Sequence, residues 1–153
     1  MDVYQKLKEL KIELPQGPQA LASYVPVKIV GNMAYVSGQV PLIGGKFTCT
    51  GQVGKDVTIE QAQAAARIVA INTLSQLHEH VGDLNKIKSV VKVLGFVACV
   101  EGFGDQPTVI NGFSNLMIEI FGENGRHARS AVGASGLPKN VSVEIESIFE
   151  LKA

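Results

Sequence analysis

The 153-residue chain has no tryptophan, two cysteines and no excess of either charge: 14 Lys and Arg residues stand against 14 Asp and Glu, and aromatics make up 6%. Each scarcity excludes something. Zero net charge without a long run of one sign leaves no basic surface for a phosphate backbone, and so few aromatics leave no base-stacking platform, so nucleic acid is not an expected partner. Cys49 and Cys99 are far apart and form no CxxC pair, so neither a disulfide framework nor a thiolate metal site is expected. No apolar run approaches the roughly 20 residues that span a bilayer. The charged, helically patterned start, MDVYQKLKEL, does not read as a signal peptide. The expectation is a cytoplasmic protein without membrane contact. What the chain does have is 46% hydrophobic residues and enough length to bury a core, which fits one domain over 1–153.

Periodicity supplies the elements. Val3, Leu7 and Leu10 mark one side of a short N-terminal helix that LPQGP breaks, giving an extension and linker over about residues 1–20. Tyr24 to Val30 and Met33 to Ser37 flank Gly31-Asn32, a hairpin signal, and the glycine-rich PLIGGKFTCTGQVG reads as a loop with short strand. Thr58 and Gln61 form a capping box ahead of a helix whose apolar positions run through Ile59, Ala62, Ala66, Val69, Thr73, Leu77 and Val81, with Gly82 ending it. A strand from about Val90 to Val100 follows, then a helix from about Pro107 to Phe121, with Val109, Ile110, Phe113, Leu116, Met117 and Ile120 toward the core, that stops at Gly122.

The last 25 residues pose the functional question. Val141, Val143, Ile145, Phe149 and Leu151 alternate with Ser142, Glu144, Glu146, Ile148 and Glu150. Upstream, Ala128, Ser130, Val132 and Ala134 read as the inward phase of another strand, with Arg129 in the opposite phase. If these two strands pair antiparallel around SGLPKN, with Val132 beside Val141, Arg129 falls opposite Glu144. That arrangement is either an ordinary cross-strand ion pair or half of a site in which the guanidinium grips a carboxylate ligand bidentately. The whole order is hairpin, helix, strand, helix, hairpin: an α+β arrangement with two main helices on one face of a mixed sheet. VVKVLGFVACV is apolar in both phases except at Lys92, with Val90, Leu94, Phe96 and Ala98 on one side and Val91, Val93, Val97 and Cys99 on the other. A strand of that kind needs cover on both faces, which points to a second subunit and to ligand clefts where subunits meet.

Other motifs carry less. His78 and His80 in HEH sit two apart, on different sides of a helix, and suit a solvated helix end better than a metal pair. His127 shares the strand phase of Arg129 and could line the same cleft, although a surface role fits it better. IGGKF lacks the rest of a phosphate-binding loop. Ser37 in YVSGQ and Tyr24 in ASYVP read, on their own, as strand-end residues.

The segments ASYVPVKIVGNMAYVSGQVPL, VINGFSNLMIEIFG and HARSAVGASGLPKNVSVEIESI resemble the YjgF/YER057c/UK114 family, also called the RidA or Rid family and formerly "endoribonuclease L-PSP". The resemblance covers nearly the whole chain beyond the N-terminal helix. It implies a chorismate-mutase-like fold, a homotrimer with three intersubunit clefts, and binding of small carboxylates such as 2-oxo acids and their imines. It further implies hydrolysis of 2-aminoacrylate-type imines to 2-oxo acid and ammonia, without a metal or organic cofactor. Carried over by motif, Arg129 would hold the substrate carboxylate, Glu144 would handle the catalytic water or proton, Tyr24 and Ser37 would contact the ligand, and Asn111 would support it. The family often has cysteine two residues after the arginine; here Ala131 stands there, and the loop IGGKFTCTGQVGKD also departs from the pattern, as in a divergent branch. A non-catalytic 2-oxo-acid-binding or regulatory protein would use the same arginine. An endoribonuclease is disfavoured by the neutral charge, and a purely structural trimer would leave Arg129 and Glu144 without a task.

Overall fold

A computed structural model describes residues 2–17 and 23–153. Helix α1 (Val3–Glu9) buries Val3 and Leu7 and is capped by the Asp2 side chain. The part of the expected linker at 18–20, and Ala22 of the ASYVP motif, lie outside the described residues. Strands β1 (Val27–Val30) and β2 (Met33–Gln39) form the expected hairpin about Gly31, whose φ of 60° suits a residue without a Cβ. The glycine-rich stretch makes a small separate hairpin, β3 (Leu42–Ile43) and β4 (Lys46–Phe47).

Helix α2 (Ile59–Val81) begins with the capping box read from the sequence: Gln61 N–H donates to Thr58 Oγ1 at 3.1 Å, and Thr58 N–H donates to Gln61 Oε1 at 3.0 Å. Strand β5 (Ile87–Ala98), helix α3 (Gln106–Phe121), strand β6 (Ala128–Ala134) and strand β7 (Val143–Leu151) complete the fold. All six apolar positions expected inside α3 (Val109, Ile110, Phe113, Leu116, Met117 and Ile120) are buried. The two long helices cover one face of a five-stranded sheet ordered β1-β2-β7-β5-β6. The core lies between these layers, with Ala34, Val36, Val93, Val97, Val143, Ile145 and Phe149 contributed by the strands.

Three expectations about the strands need correction. First, β6 and β7 do not form a terminal hairpin. Strand β5 lies between them, parallel to β6 and antiparallel to β7. The reason is visible in the element order: β5, a 16-residue helix and β6 make a strand–helix–strand unit, and such crossovers join parallel neighbours. Second, the phase of β6 is inverted. Ala128, Ser130 and Val132 are exposed, whereas Arg129 and Ala131 are partly buried on the helix side. Third, the register of β5 shifts between Val90 and Lys92, so Val90 joins Val93 and Val97 on the helix side instead of Leu94 and Phe96.

The other sheet face carries no helix among the described residues. On it, Tyr35, Ile148 and Lys92 are aligned in one row and Glu144, Phe96 and Val132 in another. Tyr35 and Val132 are 45% and 42% exposed. This is the face for which the apolar pattern demanded cover.

Between the helices, Gly112 of α3 faces the Gln63 carbonyl and Ala66 of α2, and a Cβ there would fall well inside contact distance of the α2 backbone. Gly112→Ala gains about 1 kcal/mol of helix propensity but forces two packed helices apart, at about 1–3 kcal/mol or more. The expected net result is a lower urea midpoint in equilibrium unfolding followed by circular dichroism. An unchanged or higher midpoint would mean that the helices separate freely.

Candidate functional site

Arg129 sits on edge strand β6, with its side chain turned toward α3. Its Nη1 donates to Asn111 Oδ1 at 2.9 Å and to Ser114 Oγ at 3.1 Å. Asn111 and Ser114 are three residues apart and therefore share one helix face. Ser114 Oγ also meets His127 Nε2 at 2.9 Å, and His127 Nδ1 lies 2.7 Å from the Gly125 carbonyl oxygen. These side chains, with Asn115, Ile118 and Arg126, line a concavity of about 290 Å³. Among the described residues no carboxylate pairs with Arg129. Partial burial draws its pKa below the ordinary arginine value; an arginine in this environment keeps its charge. Burial also lowers the pKa of His127; the hydrogen bond to Gly125 opposes this, and the neighbouring charge of Arg129 adds to it.

Glu144 belongs to a different place. Its partners across the sheet are Phe96 and, one strand further, Val132, whereas Arg129 is aligned with Val93 and Ser147. With no irregularity between these rows, Glu144 and Arg129 project from opposite faces of the sheet. They do not face each other, as the sequence expectation had it, because β5 separates their strands. The Glu144 carboxylate lies over the backbone of Gly38, at the irregularity between Val36 and Gln39 in β2, and a Cβ on Gly38 would collide with it. It makes no hydrogen bond with a described residue. Burial first, and the negative charge of Glu146 second, push its pKa above the ordinary glutamate value.

The remaining expected site residues divide accordingly. Asn111 is brought onto Arg129. Ser37 precedes Gly38 in β2; its N–H donates to the Pro26 carbonyl at 2.9 Å, and Gln39 Nε2 donates to its carbonyl at 3.3 Å. Tyr24 is 52% exposed just ahead of β1. His127 does line the cavity beside Arg129, contrary to the surface role favoured from the sequence. Ser114 and Gly38 were not anticipated. The helical spacing of Ser114 from Asn111 could have flagged the first; no local signal marks the second.

His78 and His80 are exposed at the end of α2, as expected, with His78 Nδ1 2.8 Å from the Tyr4 hydroxyl. Among the described residues no group of three His, Cys, Asp or Glu side chains could hold a metal ion, and no helix is long and apolar enough to cross a membrane.

Residues 5–151 match the family model described as "YjgF/chorismate_mutase-like, putative endoribonuclease". The chain belongs to this family. Relatives of the YjgF family include Protein TCP17 of Trypanosoma cruzi, 41% identical over 97% of this chain and 94% of that protein. The 2-iminobutanoate/2-iminopropanoate deaminase of Dermatophagoides farinae is 34% identical over 92% of this chain and 95% of that protein. The crystal structure of Atu1372 from Agrobacterium tumefaciens is 50% identical, with a TM-score of 0.91, over 98% of this chain and 92% of that one. The family carries the α+β fold described above, and the match runs through every strand and both long helices.

The raised pKa of Glu144 has a consequence for stability. A carboxyl whose folded pKa lies above its unfolded value binds more protons when folded, so the cost of burying it is absent below the unfolded value and grows as pH rises through the folded one. Glu144→Gln, neutral at every pH, is therefore expected to raise the melting temperature at pH 7 and to leave it nearly unchanged at pH 4. Equal effects at both pH values in differential scanning calorimetry would contradict a buried, ionising Glu144.

Proposed function

We propose that the chain is a cofactor-independent imine deaminase, converting 2-iminium acids of the 2-aminoacrylate type to 2-oxo acids in clefts between subunits of a homotrimer. The observation that carries this reading is a partly buried guanidinium, unpaired with any described carboxylate, opening on a cavity at a sheet edge. A cation so placed suits a carboxylate ligand. The deaminase name of the Dermatophagoides relative supports the substrate class.

Arg129 and Glu144 lie on opposite faces of one sheet, so one small ligand cannot touch both within a single chain. A second copy packed on the open face and against edge strand β6 brings one subunit's Glu144, with Ser37 and Gly38, to the next subunit's Arg129. Tyr24, exposed before β1, is free to close the same cleft. The assembly also covers the exposed apolar side chains of that face.

In this arrangement Arg129 grips the carboxylate and fixes the C=N carbon. Glu144 accepts a proton from the attacking water and passes it to nitrogen; as the C–N bond breaks, the remaining hydroxyl proton passes to the departing ammonia. The balance is iminium acid plus water to 2-oxo acid plus ammonium, with no change in oxidation state. A carboxyl with a raised pKa is suited to proton transfer in both directions.

Three measurements test this. Light scattering on a sizing column should give about three times the chain mass; a stable monomer at micromolar concentration would remove the cleft. Arg129→Lys keeps the charge but loses the planar fork, and should weaken pyruvate binding by roughly 10- to 150-fold in calorimetric titration; equal binding would remove Arg129 from the site. Glu144→Gln should keep pyruvate binding and slow imine hydrolysis by roughly 10²–10⁴-fold, measured with a dehydratase that generates 2-aminoacrylate or 2-aminocrotonate. If the parent protein accelerates hydrolysis of neither imine, the deaminase reading fails and a carboxylate-binding protein remains.

A further inference from the structure

The polar atoms behind Arg129 form a chain whose direction is dictated by donor and acceptor capacity. Arginine only donates, so Ser114 Oγ is an acceptor at 3.1 Å and Asn111 Oδ1 another at 2.9 Å. Both hydrogens of Nη1 are thereby used. The Gly125 carbonyl can only accept, so His127 Nδ1, 2.7 Å away, carries a hydrogen. In the neutral ring Nε2 then holds a lone pair, and the one remaining partner for it is the Ser114 hydroxyl hydrogen, 2.9 Å between heavy atoms. The chain runs in one direction, from Arg129 to Ser114 to His127 to Gly125.

We propose that His127 is a positioning residue for Arg129: by accepting the Ser114 hydroxyl it turns the serine lone pair toward Nη1, locking the guanidinium so that its Nε–Nη2 edge faces the ligand. That edge makes no hydrogen bond with a described residue, and Nε–H and Nη2–H are parallel donors matched to the two oxygens of a carboxylate. The inference rests on the carboxylate-site reading above and goes further in naming the edge that binds and the group that sets it. Ring neutrality is part of the device. A protonated His127 would point Nε2–H at Ser114, take away the serine's acceptor for its own hydrogen, and add a second cation beside Arg129. The charged groups lining this cavity are Arg129 and Arg126, the latter held by Glu123 at 3.0 Å, and neither favours a charged imidazole. Burial and the charge of Arg129 act the same way, lowering the His127 pKa.

Two measurements on the 153-residue chain test the relay. Nitrogen-15 NMR of the imidazole at pH 7 should find His127 neutral with its hydrogen on Nδ1, and Ser114→Ala should shift the Nε2 resonance. Pyruvate titration should then show His127→Leu binding roughly 3- to 10-fold more weakly than the parent, with His127→Gln recovering most of the loss because its Oε1 can accept from Ser114. A merely space-filling role would favour leucine at least as much as glutamine. A hydrogen on Nε2, a charged ring at pH 7, or equal binding by His127→Leu overturns the relay. If His127→Leu does not fold, Ser114→Ala against Ser114→Thr makes the same comparison, threonine alone keeping the hydroxyl. A correct tautomer in a parent protein that binds no pyruvate instead overturns the carboxylate reading, and with it the purpose assigned to the relay.

Discussion

Helix α3 lies directly on β5 because Gly95 has no side chain to hold it away: Ile110 occupies the space in which a Cβ would stand. That close approach fixes the height and rotation of α3 over the sheet edge. The residue after Ile110 is Asn111 and the next on the same helix face is Ser114, so the contact at Gly95 delivers both side chains to Arg129 on the adjoining strand. The guanidinium is held by a helix packed on its neighbour strand, and not by the charge of a carboxylate. A neutral anchor leaves the charge of Arg129 available to a ligand, which an internal ion pair would consume.

The one-sided covering of the sheet imposes the second constraint. All the long helix in the chain lies on one face, so the opposite face keeps Tyr35, Leu94, Phe96, Ile148 and Val132 with no layer above them among the described residues. The same face carries Glu144, desolvated enough by its neighbours to raise its pKa. In the proposed trimer a second copy covers this surface, while the cavity beside Arg129 on the helix side stays open at the sheet edge. In the proposed deaminase, assembly and ligand binding would both follow from this asymmetry between the faces.

Most of the element content was legible in the sequence. The Thr58–Gln61 capping box, the apolar stripe of α3 and the Gly31 turn are short-range signals, and each corresponds to an observed feature. The family resemblance drew on equally local motifs. Asn111 was legible only through that resemblance, as a supporting polar residue; its hydrogen bond to Arg129 is a finding of the structure, since nothing in their spacing along the chain places them together. The errors came from long-range order. Alternation along β6 and β7 suits any neighbour strand, so it favoured the hairpin of adjacent segments over the crossover that exists, and with it an Arg129–Glu144 pair that the sheet does not make. The phase of β6 misled because Ala128, Ser130, Val132 and Ala134 were read as the inward set, whereas the helix above supplies hydrogen-bond acceptors for an inward arginine.

The sequence by itself determined the helices, their caps, the strand segments and the residue types able to do chemistry, because those properties depend on contacts within a few residues. Only the tertiary structure decided which strand lies beside which, and therefore that Arg129 and Glu144 occupy opposite faces while Ser114 and His127 stand behind the arginine. Strand order is set by how α2 and α3 pack across the whole sheet, a sum of contacts between residues distant along the chain, and no local pattern encodes it.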